Sequence, residues 1–149
     1  MNDTPRSDPR ITSTLTFRML TAVNFIARPF QEEYSKRFSL GLTEWRCMMA
    51  CATAPDSSGE DVARLMGMDK MTVSRSLRSL ERAGRAARRA DPVNRKRYQW
   101  RLTDEGWAVF DAIIPLALTR DENLFTDVSE SERAAINRVL DRMMSRNGS

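Results

Sequence analysis

The feature that most constrains the fold is a pair of short capped helices joined by a tight turn in the middle of the chain. Ser58, with Asp61 three residues later, predicts a capping box that opens the first helix, and Gly67 predicts its end. Asp69 predicts the N-cap of a second helix over 70–83, with an apolar inner face. This pattern is typical of a helix-turn-helix, in which the first helix braces the second.

A predicted β-hairpin follows directly. Residues 97–102 alternate polar and apolar side chains, as a half-buried strand does. The turn signal 91–94 separates them from residues 85–90. The predicted fold class is therefore mainly α with a small β-hairpin wing, a winged helix-turn-helix. Helical periodicity on both sides predicts flanking N- and C-terminal helices.

Basic residues concentrate in this same region. Between residues 64 and 101 there are twelve Lys and Arg against three Asp and Glu, a surplus of nine, whereas the rest of the chain has an acidic excess of five. Such a basic centre indicates a surface that faces a polyanion. A charged face that serves only solubility is the simpler alternative. Because the cations cross several elements, nucleic acid is favoured over a membrane surface.

The second helix would place its outer face in a major groove about 12 Å wide. Arg75 can pair with guanine, and small hydroxyl side chains near the helix start permit close approach. Arg95, at the hairpin tip, suits a narrow minor groove, although a basic tip can also serve solubility. The predicted DNA-binding residues are Lys70, Thr72, Ser74, Arg75, Arg78, Arg95, Lys96 and Arg97.

Three motifs carry a family resemblance. The segments 80–84 (Leu-Glu-Arg-Ala-Gly), 88–96 and 102–106 (Leu-Thr-Asp-Glu-Gly) resemble the signature of the MarR family of winged helix-turn-helix transcription regulators. Asn94 stands where that family usually has Asp, which predicts a weaker brace for the wing arginine. Arg85-Ala86 stands where two apolar residues are usual, which predicts a thinly packed first strand.

The resemblance implies a homodimer that binds double-stranded DNA at a pseudo-palindromic operator, and we expect a repressor. It predicts a tail over 1–10, an N-terminal helix over 11–37, the DNA-binding domain over 42–102 and C-terminal dimerisation helices over 103–146. The flanking helices carry more apolar surface than a small lobe can bury, although a monomeric core is the alternative. The apolar residues that form this surface are Phe17, Leu20, Phe110, Ile114, Val139 and Met143.

Helix breaks are also predictable. Pro29 should kink or interrupt the first helix, and Pro115 should interrupt or bend the helix capped by Thr103. Thr43 is a plausible cap for a helix that runs to about Thr53, and 54–59 resembles a loop. A second capping box, Ser129 with Glu132, predicts the last helix.

Proteins of this type often respond to a small aromatic acid. A pocket for such an effector is predicted from Phe17, Trp45, Arg46 and Met49, because a cation beside an aromatic ring suits an aromatic carboxylate. Trp45 in the core and Arg46 in a structural ion pair is the alternative, and we favour it.

The two cysteines, Cys47 and Cys51, lie one helical turn apart in an apolar stretch. A redox-responsive regulator that uses them is an alternative function, but their neighbours favour packing. No disulfide framework is implied, which fits a reducing cytoplasm.

Other function classes are disfavoured. The sequence has no histidine, no glycine-rich phosphate loop and no apolar run of 18 residues. We therefore expect no enzyme activity, no cofactor, no metal site and no membrane span. A non-regulatory architectural or RNA-binding protein is an alternative. A regulator would prefer a particular duplex sequence, whereas such a protein would not.

Overall fold

A computed structural model describes residues 9–147. The chain divides into two compact units, one that ends at Leu42 and one that begins at Thr43. Residues 1–8 of the predicted tail over 1–10 lie outside the described residues. Residues 9 and 10 belong to a 3₁₀ turn, Pro9–Ser13.

The first unit is helical. Helix α1, Leu15–Pro29, is capped by Thr14, whose hydroxyl accepts the backbone N–H of Phe17 at 3.2 Å. At Pro29 the α-helical hydrogen bonding ends, and a π-helical turn, Phe30–Tyr34, leads into the short helix α2, Ser35–Phe38. The predicted single helix over 11–37 is therefore a series of four helical segments, namely the end of the 3₁₀ turn, α1, the π-helical turn and α2. Proline has no N–H to donate and crowds the preceding turn, so the break falls where it was predicted.

The apolar side of α1 faces solvent in the single chain. Within the described chain, no residue of α1 is buried. Large apolar side chains of α1 are exposed, and these include Leu15, Leu20, Val23, Phe25 and Ile26.

The second unit contains the predicted winged helix-turn-helix. Its helices are α3 (Leu42–Thr53), α4 (Gly59–Met66), α5 (Lys70–Arg82), α6 (Asp104–Leu124) and α7 (Glu130–Asn147), and its strands are β1 (Ser57–Ser58), β2 (Ala86–Ala90) and β3 (Tyr98–Leu102). The buried side chains of α3, α4 and α5 pack with those of β3 and α6 in one core. Its largest members include Trp45, Met48, Val62, Val73, Leu77, Leu80, Trp100, Leu102 and Ile113.

The sheet has three antiparallel strands in the order β1-β3-β2. Trp100 pairs with Arg88 on one side and with Ser57 on the other. The hairpin prediction is confirmed, but the loop predicted over 54–59 is wrong in part, because it contains β1 and the start of α4. A two-residue strand has too little alternation to be recognised, and it forms only because the edge of β3 lies beside it.

Helix ends agree with most of the predicted caps. Ser129 and Glu132 form the second capping box, in which the Ser129 hydroxyl donates to the Glu132 carboxylate at 2.6 Å. The predicted Thr43 cap is wrong by two residues, since α3 begins at Leu42 and Thr43 lies inside its first turn. Pro115 does not interrupt α6, which continues to Leu124.

Candidate nucleic-acid interface

Backbone caps fix the geometry of the two central helices. The Ser58 hydroxyl accepts the Asp61 N–H at 3.2 Å, and the Asp61 carboxylate accepts the Ser58 N–H at 3.2 Å. Gly67 ends α4 in the left-handed conformation with φ of 59°, which costs glycine little. Asp69 then accepts the Thr72 N–H at 2.8 Å and opens α5. The caps therefore define both ends of the turn between α4 and α5.

Helix α5 has a buried face and a cationic exposed face. Val73, Ser76, Leu77 and Leu80 are buried. Of the predicted contact residues on this helix, Thr72 is half-buried, and the exposed ones are Lys70, Ser74, Arg75 and Arg78. The helix periodicity thus places these five side chains along the accessible side of one helix, as predicted.

The turn of the wing is organised by one carboxylate. Asp91 accepts the backbone N–H groups of Val93 at 2.8 Å and Asn94 at 3.0 Å. These bonds, first that of Asn94 and then that of Val93, hold the pKa of Asp91 below its ordinary value. Asn94 itself accepts the backbone N–H of Lys96 at 3.2 Å, so its amide braces the turn's backbone.

The wing presents three consecutive cations, Arg95, Lys96 and Arg97, all exposed. The first strand of the wing packs thinly, as predicted, because only Ala86 of β2 is buried among its five residues.

The base of the wing is held by Asp56, which sequence reasoning missed. Its carboxylate accepts two hydrogen bonds from the Arg101 guanidinium, at 2.9 and 2.7 Å, and lies 3.1 Å from Arg89. The Asp56 N–H also donates to the Trp100 carbonyl oxygen at 2.9 Å. Because Asp56 has a left-handed backbone with φ of 65°, it turns the chain back onto β3. Its place in an Ala-Pro-Asp-Ser turn was the one available signal.

A second unpredicted acid, Glu60, lies between two predicted DNA-binding residues. One carboxylate oxygen accepts from the Lys70 ammonium at 2.5 Å, and the other accepts from the Arg97 guanidinium at 2.8 Å. The Lys70 hydrogen bond and charge, followed by the Arg97 charge, hold the pKa of Glu60 below its ordinary value. Helix α4, helix α5 and the wing therefore share one ionic junction.

A groove of about 240 Å³ runs between α5 and the wing. Arg88 lines this groove. Its guanidinium lies 3.1 Å from the Glu81 carboxylate and 4.5 Å from the centre of the Tyr98 ring. Arg78 and Ser74 line the α5 side. A second cleft, of about 430 Å³, lies between α5 and the first turn of α3, where Arg75 and Arg82 meet Thr43 and Glu44. Both recesses flank α5 and are lined by arginine side chains that can hydrogen-bond phosphate.

Comparison with known proteins finds similarity to one family. The MarR family model matches residues 38–97, the segment that contains α4, α5 and most of the wing. A MarR/EmrR family transcriptional regulator from Acinetobacter sp. ADP1 is similar over 88% of this chain and 92% of its own, with 23% identity and a TM-score of 0.80. The chain therefore has the winged-helix fold of these regulators, and residues 38–97 are similar to the MarR family in sequence. No curated protein sequence matches it.

Two further solved structures share the MarR fold and have ligands. BpsR of Bordetella bronchiseptica, whose DNA binding is regulated by 6-hydroxynicotinic acid, is 21% identical over 92% of this chain and 97% of its own, with a TM-score of 0.81. PcaV of Streptomyces coelicolor, solved with its natural ligand, is 20% identical over 80% of this chain and 89% of its own, with a TM-score of 0.65.

The residues predicted for an effector pocket lie on separate units of the chain. Phe17 is exposed on α1. Trp45 is buried and stacks on Phe110 with ring centres 5.2 Å apart. The Arg46 guanidinium donates to the Met66 carbonyl oxygen at 2.6 Å, and the adjacent Met49 is half-buried. This bond from α3 to the end of α4 gives Arg46 a structural partner, which is a backbone carbonyl and not the acid of the ion pair named in the alternative interpretation.

Both cysteines are free and buried on α3. Burial raises the pKa of Cys47 to about 11 and that of Cys51 to about 12. Because the thiolate is the reactive form, these thiols lack the electropositive, accessible setting of a redox sensor. Among residues 9–147, no cluster of acidic and cysteine side chains could hold a metal ion, and no helix is long and apolar enough to cross a bilayer.

Proposed function

We propose that this chain is a sequence-specific regulator of transcription that binds double-stranded DNA as a homodimer and represses the genes near its operator. The observation that carries the proposal is the exposed face of α5, with Ser74, Arg75 and Arg78, beside the cationic wing. A helix of this size fits the major groove, and an arginine at a wing tip fits a narrow minor groove. Repression, rather than activation, is inferred from the family resemblance.

The eight predicted residues have different roles in this proposal. Arg75 reads a base, because it lies one turn into α5 on its exposed side. Arg78 contacts phosphate and sets the register of the helix on the duplex. Arg95 enters the minor groove beside the major-groove contact, and Lys96 contacts the adjoining backbone.

Dimerisation through the terminal helices is the second part of the proposal. The predicted dimerisation segments, 11–37 and 103–146, expose many large apolar side chains in the single chain. On α7 these include Ile136, Val139 and Met143, and on α1 they include Leu20 and Phe25. Monomeric proteins rarely expose large apolar side chains in such numbers along their helices, so we expect a second copy to cover them.

Modulation by a small aromatic acid is the third part. BpsR, which shares the fold, responds to 6-hydroxynicotinic acid, and the pocket residues Phe17, Trp45, Arg46 and Met49 remain predictions. The redox alternative is disfavoured by the buried thiols, and the enzyme class by a sequence without histidine.

The experiment is selection from a random-sequence duplex library, followed by binding titrations with the enriched duplex and with a shuffled one. We expect an inverted repeat whose half-sites are about one helical turn apart. Enrichment of no sequence at all would indicate an architectural protein. Sedimentation at micromolar concentration should give a dimer, and a monomer would contradict the second part. Titrating 6-hydroxynicotinic acid into the DNA complex tests the third.

A further inference from the structure

We infer that Glu60 is a specificity-determining residue. It restrains two cations of the proposed DNA-binding surface and holds the wing against α5. This inference rests on the proposed function. Its basis is the bridge from one exposed carboxylate to Lys70 on α5 and to Arg97 on the wing.

The bridge joins three elements that are each fixed independently. Glu60 lies in the first turn of α4, next to the Ser58–Asp61 capping box. Lys70 is the first residue of α5, immediately after its Asp69 cap. The backbone of Arg97 closes the wing turn, because its N–H donates to the Asn94 carbonyl at 2.8 Å and its carbonyl accepts the Asp91 N–H at 2.9 Å. A change at Glu60 therefore acts on the relation between α5 and the wing.

Helix stability does not explain the position of Lys70. A cation in the first turn of a helix opposes the helix dipole, and α5 has no acidic residue in its first turn. The Lys70 side chain is 73% exposed and that of Glu60 is 37% exposed, and exposed ion pairs contribute little to folding. A cation at the start of a groove-binding helix is, however, well placed to meet a phosphate.

Glu60 competes with DNA phosphates for Lys70 and Arg97, and contacts between such cations and phosphates give non-specific affinity. Of the three wing cations, Arg95 and Lys96 lie outside this bridge. Non-specific binding depends on such contacts almost entirely, whereas operator binding also needs α5 and the wing at a fixed separation. Glu60 thus weakens binding to random DNA and supports binding to the operator.

The test is Glu60→Gln, with Glu105→Gln as the matched control. Both variants remove one negative charge from a glutamate in the first turn of a helix of the same unit; Glu60 is half-buried and Glu105 is exposed. Affinity is measured against salt concentration on a random-sequence duplex and on the duplex enriched by selection, and thermal melting checks folding.

For Glu60→Gln we expect several-fold tighter binding to random DNA, and a plot of log affinity against log salt that steepens by about 1 for each released cation. The ratio of operator affinity to random-DNA affinity should fall, and the melting temperature should stay unchanged. Glu105→Gln should leave the slope as it is. In a Lys70→Gln/Arg97→Gln background, Glu60→Gln should no longer steepen it.

An unchanged random-DNA slope, equal gains on both duplexes, or an equal effect of Glu105→Gln would overturn the role of Glu60. Those outcomes would leave the proposed function intact. Failure of the unmodified protein to bind any duplex would instead overturn the proposed function, and this inference with it.

Discussion

The α-carbon of Gly106 lies directly against the backbone of Arg85. A β-carbon at position 106 would be 1.9 Å from the Arg85 carbonyl oxygen. The same oxygen accepts the Thr103 N–H at 3.1 Å, and the Thr103 hydroxyl donates to the Gly84 carbonyl at 2.6 Å. The segment that follows α5 is therefore clamped to the start of α6, which joins the proposed DNA-binding surface to a predicted dimerisation helix.

Gly106→Ala should destabilise the protein by at least about 2 kcal/mol, because the backbone of Arg85 has to move to admit a methyl group. Chemical denaturation monitored by circular dichroism measures this. Gly59→Ala is the control, since its β-carbon would make ordinary contacts with Leu77 and Trp100 at 3.8 and 3.9 Å. An equally small effect at both glycines would contradict the clamp.

Acid should weaken the start of α4. The Ser58 hydroxyl donates to the Asp61 carboxylate at 2.6 Å and, as the largest cause, holds the pKa of Asp61 below its ordinary value. Since the folded pKa lies below the unfolded one, the stabilisation is present above about pH 4 and is lost as the pH falls through the folded value.

Ser58→Ala should cost about 1 kcal/mol at neutral pH and should flatten this acid dependence. Thermal melts between neutral pH and pH 3 test it, with the exposed Ser145→Ala on α7 as the control. A variant whose melting temperature still falls with acid as steeply as that of the unmodified protein would remove Asp61 as the cause.

Arg75→Ala and Arg95→Ala should differ in kind. Loss of a base contact should weaken operator binding by about 1–3 kcal/mol and random-DNA binding much less. Loss of the wing-tip charge should lower affinity and reduce the salt slope by about 1. Titrations on both duplexes measure these effects, with Arg138→Ala on α7 as a charge control. If Arg75→Ala lowered the affinity for both duplexes equally, Arg75 would not contact a base.

The thiols of Cys47 and Cys51 should not react in the native protein. Their side chains are almost wholly inaccessible, and burial raises their pKa values to about 11 and about 12. A disulfide reagent such as Ellman's at pH 8 should label neither until guanidinium unfolds the chain. Rapid labelling of one thiol under native conditions would restore the redox alternative.

Local rules accounted for much of this protein. Capping chemistry predicted where α4, α5 and α7 begin, because a cap is decided within three residues. Period-two alternation predicted the hairpin, and helical periodicity predicted which side of α5 is buried. The charge surplus then predicted nucleic acid as the partner, and the three motifs predicted a resemblance to the MarR family, whose model matches residues 38–97.

The tertiary structure decided what depends on residues far apart in sequence. Glu60 is 37 residues from Arg97, and Asp56 is 45 residues from Arg101. No local sequence pattern could therefore predict either ion pair. The strand β1 exists only beside β3, and the need for glycine at 106 appears only where α6 meets Arg85. The sequence by itself determined a winged helix-turn-helix whose second helix has a cationic exposed face. Folding determined which of those cations are held by acids, because ion pairs depend on distance in space and not along the chain.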